Sequence, residues 1–201
     1  MSGWFVLFFA VGVASCCDWL LPVDVPDRKD TAAIRITPIG AFGNPRKARL
    51  GVPAHYHSGY DIARVGSVDA DAPVFAASCG KVVSMREDGP FAQIILYHPD
   101  DHVWTVYEHV SGILVHVGQD VTEKTPLARI MNRKELNRYG WHFNHLHFEV
   151  LRCEPRRMQS SAGLSERFYR TYGTECSTLM KLHEKYLDPL SFLKMQWNGG
   201  T

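Results

Sequence analysis

Three parts of this chain carry residue types that do chemistry: His145-Leu146-His147, the string His57-Ser58-Gly59-Tyr60-Asp61, and His109 at the end of an apolar run. Histidine is the commonest metal ligand and titrates near neutrality. If Asn144 to Val150 is a strand, His145, His147 and Glu149 share one face while Leu146, Phe148 and Val150 share the other. Two histidines so spaced have Cα atoms roughly 7 Å apart, close enough to line one site. One can then ligate a metal while the other moves protons; alternatively the face is simply solvated. In the second string, a regular strand would hold His57 and Asp61 roughly 13 Å apart. That is too far for two ligands that must each lie about 2 Å from one ion. The chain must therefore bend, and Gly59, which lacks a Cβ and tolerates positive φ, is the residue to permit it.

Rival clusters exist. His55-Tyr56-His57 is a second H-x-H string, and His98 and His102 bracket Pro99-Asp100-Asp101. The latter reads as a polar hairpin tip, and His55 as a loop residue or an outer partner of the site. Short motifs of this kind arise often by chance, so spacing alone does not choose among them.

The elements that would position these residues are short. Apolar or alternating runs at Val74 to Ala77, Lys81 to Met85, Gln93 to Tyr97, Val103 to Val110, Ile113 to Val117 and Leu146 to Leu151 predict antiparallel strands. Glu87-Asp88-Gly89-Pro90 and Pro99-Asp100-Asp101 supply hairpin turns between them. Past Pro155 the pattern changes: Phe168, Tyr172, Leu179, Leu182 and Tyr186 fall near helical spacing and predict one or two helices in Ser165 to Tyr186. The expected fold is mainly β, an antiparallel sheet core with a groove and a C-terminal helical extension.

Length and charge bound the function. A chain of 201 residues fits one ordinary domain with a real core. With 22 Lys and Arg against 21 Asp and Glu, no excess positive charge draws it to nucleic acid. The apolar stretch Trp4 to Val13 is too short to span a bilayer and fits the core of an export signal. Val13-Ala14-Ser15-Cys16 resembles a bacterial lipobox, which makes Cys16 the candidate lipidation site, although Met1-Ser2-Gly3 lacks the usual basic residues. Residues 1–17 are thus expected as a signal segment, 18–31 as a tether, and 32–195 as the domain. Export places the protein in the cell envelope or periplasm, with a lipid anchor to a membrane. There an oxidising environment allows one disulfide, with Cys153 and Cys176 as the preferred pair.

A longer comparison singles out the first two strings. His57-Ser58-Gly59-Tyr60-Asp61-Ile62-Ala63, Ala72-Pro73-Val74-Phe75-Ala76, Gly80-Lys81-Val82, Val106-Tyr107-Glu108-His109, Val117-Gly118-Gln119-Asp120-Val121 and His145-Leu146-His147-Phe148-Glu149-Val150 occur in one order. In that order the chain resembles the lysostaphin-type zinc peptidases, from about Phe42 to Leu151, with Asp188 to Leu193 closing the domain. The resemblance implies one zinc ion per chain held by His57, Asp61 and His147, with His145 and His109 as the proton-handling and transition-state histidines. It also implies peptide cross-links of cell-wall peptidoglycan as substrate. Three ligands leave a fourth zinc position open, as catalytic sites require. The other function class is a non-catalytic relative that binds wall or an amidase partner; such relatives lose site residues, and all five are present here.

Three departures stand out. Arg138 to Asn144 replaces a Gly-rich loop, Glu123-Lys124-Thr125-Pro126 lacks an expected glycine, and a segment at about 154–186 is added. Trp141 and Phe143 would then stand at the rim of the groove, with Tyr107 on the face of His109. The other reading is that Trp141 and Phe143 pack as core beneath the added segment.

Overall fold

A computed structural model describes residues 17–141, 144–159 and 166–199. After residues 17–44, which include a 3-10 turn at Thr31–Ala33, come a hairpin of two short strands, β1 (Pro45–Arg46) and β2 (His55–Tyr56), then β3 (Tyr60–Ala63) and β4 (Pro73–Phe75). Three longer strands follow as a meander: β5 (Gly80–Arg86), β6 (Gln93–His98) and β7 (Val103–Glu108). The turns between them are the two that the sequence marks, a 3-10 turn at Gly89–Phe91 and the tip at residues 99–102. After β8 (Val110–Ser111), β9 (Asp120–Val121) and β10 (Pro126–Ile130) comes helix α1 (Arg133–Arg138), which delivers the chain to β11 (His145–Leu151). Asn132 and Glu135 start α1 with a reciprocal capping box, which satisfies two backbone donors left free at a helix start.

The main sheet is antiparallel, in the order β14-β11-β7-β6-β5-β9, where β14 is Tyr186–Leu187 and β3 also pairs with β11. A smaller sheet, β4-β10-β8, packs across one face. Between the sheets lie Val82, Ile94, Leu96, Leu146, Phe148, Val150, Val74 and Leu127 in one core. Each large apolar side chain so buried stabilises by about 1.5–3 kcal/mol against leaving it in water. The opposite face is also covered: Ile95, Val106 and Leu151 pack with Cys176, Leu182 and Tyr186 of the added segment. That is why all seven residues of β11 are buried, where alternation predicted an outward face.

Several expectations fail here. Residues 18–31 are not a tether: Trp19, Leu21, Val23 and Val25 are buried, and Arg28 donates to the carbonyls of Leu21, Ala76 and Glu123. The alternation of these four residues is a strand-like signal that the flanking prolines disguise. Cys153 and Cys176 do not pair; they are free thiols, and Cys17 bonds Cys79 instead. Cys176 is spent in the second core, with its Sγ against the Tyr172 carbonyl. Residues 113–117 form no strand. In Ser165 to Tyr186, Phe168 and Tyr172 are not helical: a hairpin of β12 (Arg156–Arg157) and β13 (Tyr169–Arg170) and a 3-10 turn at Gly173–Glu175 precede the one α-helix described there, α2 (Leu179–Lys185). Helix α3 (Pro189–Trp197), capped by Asp188, closes the fold as expected, with Phe192 against Trp19 and Trp197 Nε1 donating to the Trp19 carbonyl. No helix among the described residues is long and apolar enough to cross a membrane. The expected signal segment, including Cys16, lies outside the described residues apart from Cys17.

Candidate metal centre

Strand register brings the histidine strings together. On β11, His147 lies opposite Asp61 of β3 and, across its other edge, Glu108 of β7. A cross-strand pair puts two side chains within reach of one another. The chain before β3 then folds back so that His57 also arrives. Gly59 allows this, but not through positive φ: a Cβ there would stand 2.2 Å from the Phe148 carbonyl oxygen, so glycine is required by close approach of two backbones.

The result is a compact donor set. His57 Nε2 is 3.1 Å from Asp61 Oδ1 and 3.0 Å from His147 Nδ1, and His147 Nδ1 is 2.9 Å from the same Asp61 oxygen. Each outward atom is held. His57 Nδ1 donates to the Ala41 carbonyl, His147 Nε2 donates to Glu149, and Asp61 Oδ2 accepts from Arg46 at 2.8 Å. Ser58 donates to the same Glu149 oxygen. Outer partners of this kind fix the tautomer and aim of ligating histidines. The facing nitrogens of His57 and His147 admit at most one proton between them, a crowding that a cation relieves. The set therefore fits zinc, which takes imidazole nitrogen and carboxylate oxygen, and the three residues are a possible metal site.

Electrostatics agree with one shared charge. Burial alone would raise the Asp61 carboxyl, but hydrogen bonds from His147 and His57 hold it far below the usual carboxylate range. Burial opposes charge on His147, yet Asp61 and Glu149 on its two nitrogens raise it to about 10. His57 is pushed down by burial against the pull of Asp61.

Two more imidazoles flank the set. His145 Nε2 is 3.5 Å from Asp61 Oδ1, and burial pushes that ring down to about 3. His109 packs edge-on against His145 with centroids 5.0 Å apart; burial lowers it as well. Both rings are therefore neutral at neutral pH. His109 directly follows β7, at φ 68°, a left-handed conformation that costs a non-glycine residue about 1–3 kcal/mol. Its Nδ1 donates to the Pro90 carbonyl, so Nε2 of the neutral ring is an acceptor and donates only after taking a proton.

The groove above these residues has a volume of about 390 Å³ and includes Trp141, Phe91 and Arg46 in its walls. Trp141 lines this groove half-buried while also packing against the main core, with its ring 5.0 Å from His109 and 5.4 Å from Phe91. Phe143 lies outside the described residues. Tyr107 is not at the rim: it is fully buried, stacked 5.4 Å from Phe148, and its hydroxyl accepts from the Ala77 amide. The positive φ at His109 breaks strand alternation, so residues 107 and 109 do not share a face.

The sequence pattern of peptidase family M23 matches residues 55–159, more than half of the chain. The chain belongs to that family. No curated protein sequence matches it. Among solved structures it is similar to a zinc-containing peptidase from Vibrio cholerae, at 29% identity and TM-score 0.44 over 60% of this chain and 34% of that one. It thus spans about a third of that relative's length. It is also similar to the catalytic domain of lysostaphin from Staphylococcus simulans, at 22% identity and TM-score 0.46 over 77% of this chain and 89% of that one. A chain of the SpoIIQ–SpoIIIAH pore-forming complex matches at 18% identity and TM-score 0.47 over 85% and 98%.

Within this M23 chain, several working residues escaped the sequence reading. Glu149 was on the histidine face, and its role as partner of His147 was available from that spacing. Arg46 and the Ala41 and Pro90 carbonyls were not, because they reach the site from loops distant in sequence. Nor was Arg64, buried and bonded to Asn144, Ala70, Ile130 and Met131, which ties the approach to β11.

Proposed function

We propose that the protein is a zinc-dependent endopeptidase that hydrolyses peptide cross-links of bacterial cell-wall peptidoglycan, with one zinc per chain held by His57, Asp61 and His147. The observation that supports this most is the convergence of His57 Nε2, Asp61 Oδ1 and His147 Nδ1 beneath a groove that also holds two neutral imidazoles. Zinc bound there supplies Lewis-acid chemistry, polarising a peptide carbonyl and bringing a water's pKa toward about 7.

The chain's own residues do the rest. Arg46 and Glu149 keep Asp61 and His147 aimed at the metal. His145, neutral and beside the ligands, takes the attacking water's proton and returns it to the leaving amine. His109, held by Pro90 through Nδ1–H, takes a proton from solvent at Nε2, donates a hydrogen bond with it to the carbonyl oxygen as charge develops there, and keeps that proton when the charge collapses. Trp141 and Phe91 offer the peptide apolar contact area.

Purified full-length protein incubated with wall sacculi, with and without chelator, tests this reading. Expected are soluble fragments whose masses identify a cleaved peptide bond, absent with chelator. Binding to sacculi without any fragment release would favour the non-catalytic alternative. The same reading puts the enzyme in the cell envelope, with Cys16 lipidated after removal of residues 1–15. Cys16→Ser should then move it from the membrane to the soluble fraction; unchanged fractionation would remove the lipid anchor from the account.

A further inference from the structure

The added segment does more than cover the sheet, because it builds one wall of the groove. Arg167, Arg170, Thr171, Gly173 and Thr174 all line it. The attachment is tight: a Cβ on Gly173 would come within 2.9 Å of Ser58 Oγ. Around Arg167 the backbone is bonded to β5 on both sides. The Glu166 carbonyl accepts from the Met85 amide at 2.9 Å, and the Phe168 and Tyr169 amides donate to Ser84 Oγ at 3.0 and 3.2 Å. Arg167 is therefore presented to the groove from a fixed point.

Its charge is not spent within the protein. Arg46 serves Asp61, Arg86 is forked onto Asp88, and Arg170 pairs with Glu175. Arg167 makes no ion pair among the described residues, and its Nε is buried with no hydrogen-bond partner. Arg86 and Arg170 repel it while Asp88 and Glu108 attract it from a distance, and burial lowers its pKa. A buried guanidinium donor without an acceptor is costly, and the group that best satisfies its planar fork is a carboxylate.

We propose that Arg167 is a specificity-determining residue that binds a free carboxylate of the substrate, so that the groove selects acidic peptides over their amidated counterparts. This rests on the groove being the peptide-binding site, as the proposed function requires. The residue sits in the segment that the resemblance does not cover, so the preference belongs to this chain.

Binding measured apart from turnover tests it. Full-length zinc-loaded His145→Ala is titrated calorimetrically with an acidic stem tetrapeptide and with the same peptide fully amidated. Expected is about 10- to 100-fold tighter binding of the acidic peptide, the range for a hydrogen bond to a charged group. Adding Arg167→Gln should abolish that preference by weakening only the acidic peptide. Arg167→Lys, which keeps the charge without the fork, should retain part of it, and both should melt as the parent does. Equal binding of the two peptides, no binding of either, or an undiminished preference in Arg167→Gln would overturn the proposal. Cleavage of cross-linked acidic and amidated peptides by the His145-containing enzyme separates the two readings. Cleavage without preference removes the role of Arg167 alone, and preference without cleavage removes the peptidase reading alone.

Discussion

Two buried strand histidines, His98 and His147, contrast a side chain that is scaffold at one end of the sheet with one proposed as a metal ligand at the other. His98, 1% exposed at the end of β6, places Nδ1 against the Cys79 carbonyl and Nε2 against Thr105 Oγ1, and packs on Trp19. Both nitrogens are satisfied by fixed neutral partners. His147, 7% exposed on β11, has Nε2 on Glu149 but turns Nδ1 toward another imidazole and a carboxylate. Burial is common to both, so burial does not mark a reactive histidine. What distinguishes His147 is a nitrogen aimed at two other atoms able to ligate a metal, a carboxylate oxygen and a second imidazole nitrogen.

The largest expected effect is in the groove. His145→Ala should lower turnover about a hundredfold to ten-thousandfold, the usual worth of positioned acid–base help, while metal content and melting temperature hold. Loss of zinc from that variant would mean that the strand's two histidines have exchanged roles.

At the other end, His98→Ala should cost about 2–4 kcal/mol of stability by opening a cavity and leaving its partners unpaired, measured by denaturant unfolding. The folded fraction should keep its zinc and its activity within about twofold. A variant that folds well and loses metal would erase the distinction drawn between the two sites.

Acid sharpens the same contrast more gently. Burial pushes His98 down to about 4, against a weaker pull from Asp101. The unfolded chain, with an ordinary histidine near 6.5, then binds the proton more readily, so stability falls as pH drops from about 6.5 toward 4. This share is fully present above 6.5 and amounts to at most about 3 kcal/mol, at 1.36 kcal/mol per unit. Unfolding curves between pH 7.5 and 4.5 should show a shallower acid loss for His98→Gln than for the parent. Parallel curves would count against a neutral, buried His98.

The contrast also explains what was legible in the sequence. The β5-β6-β7 meander and β11 could be read because turn residues bound each run and alternation matches the pleat. The strings proposed as ligands were singled out by residue type and order, and a strand pairing then puts residue 61 opposite residue 147. His98, read as a polar tip, is core because the hairpin tip begins one residue later. Trp19 to Val25 was hidden by prolines that mimic a tether. In the added segment, Phe168 and Tyr172 matched a helical period by coincidence, because packing against β5 and Tyr186 overrides local pattern there. Arg46 and Arg167 had no local signal at all, since only the fold brings them to the groove.

The central claim is that His57, Asp61 and His147 hold one zinc per chain, and metal analysis of purified full-length protein tests it most directly. The account predicts about one zinc per chain in the parent and in His98→Ala, and almost none in His147→Ala with its fold retained. Full zinc occupancy in His147→Ala, or a parent that binds no zinc when supplied with it, would contradict the account.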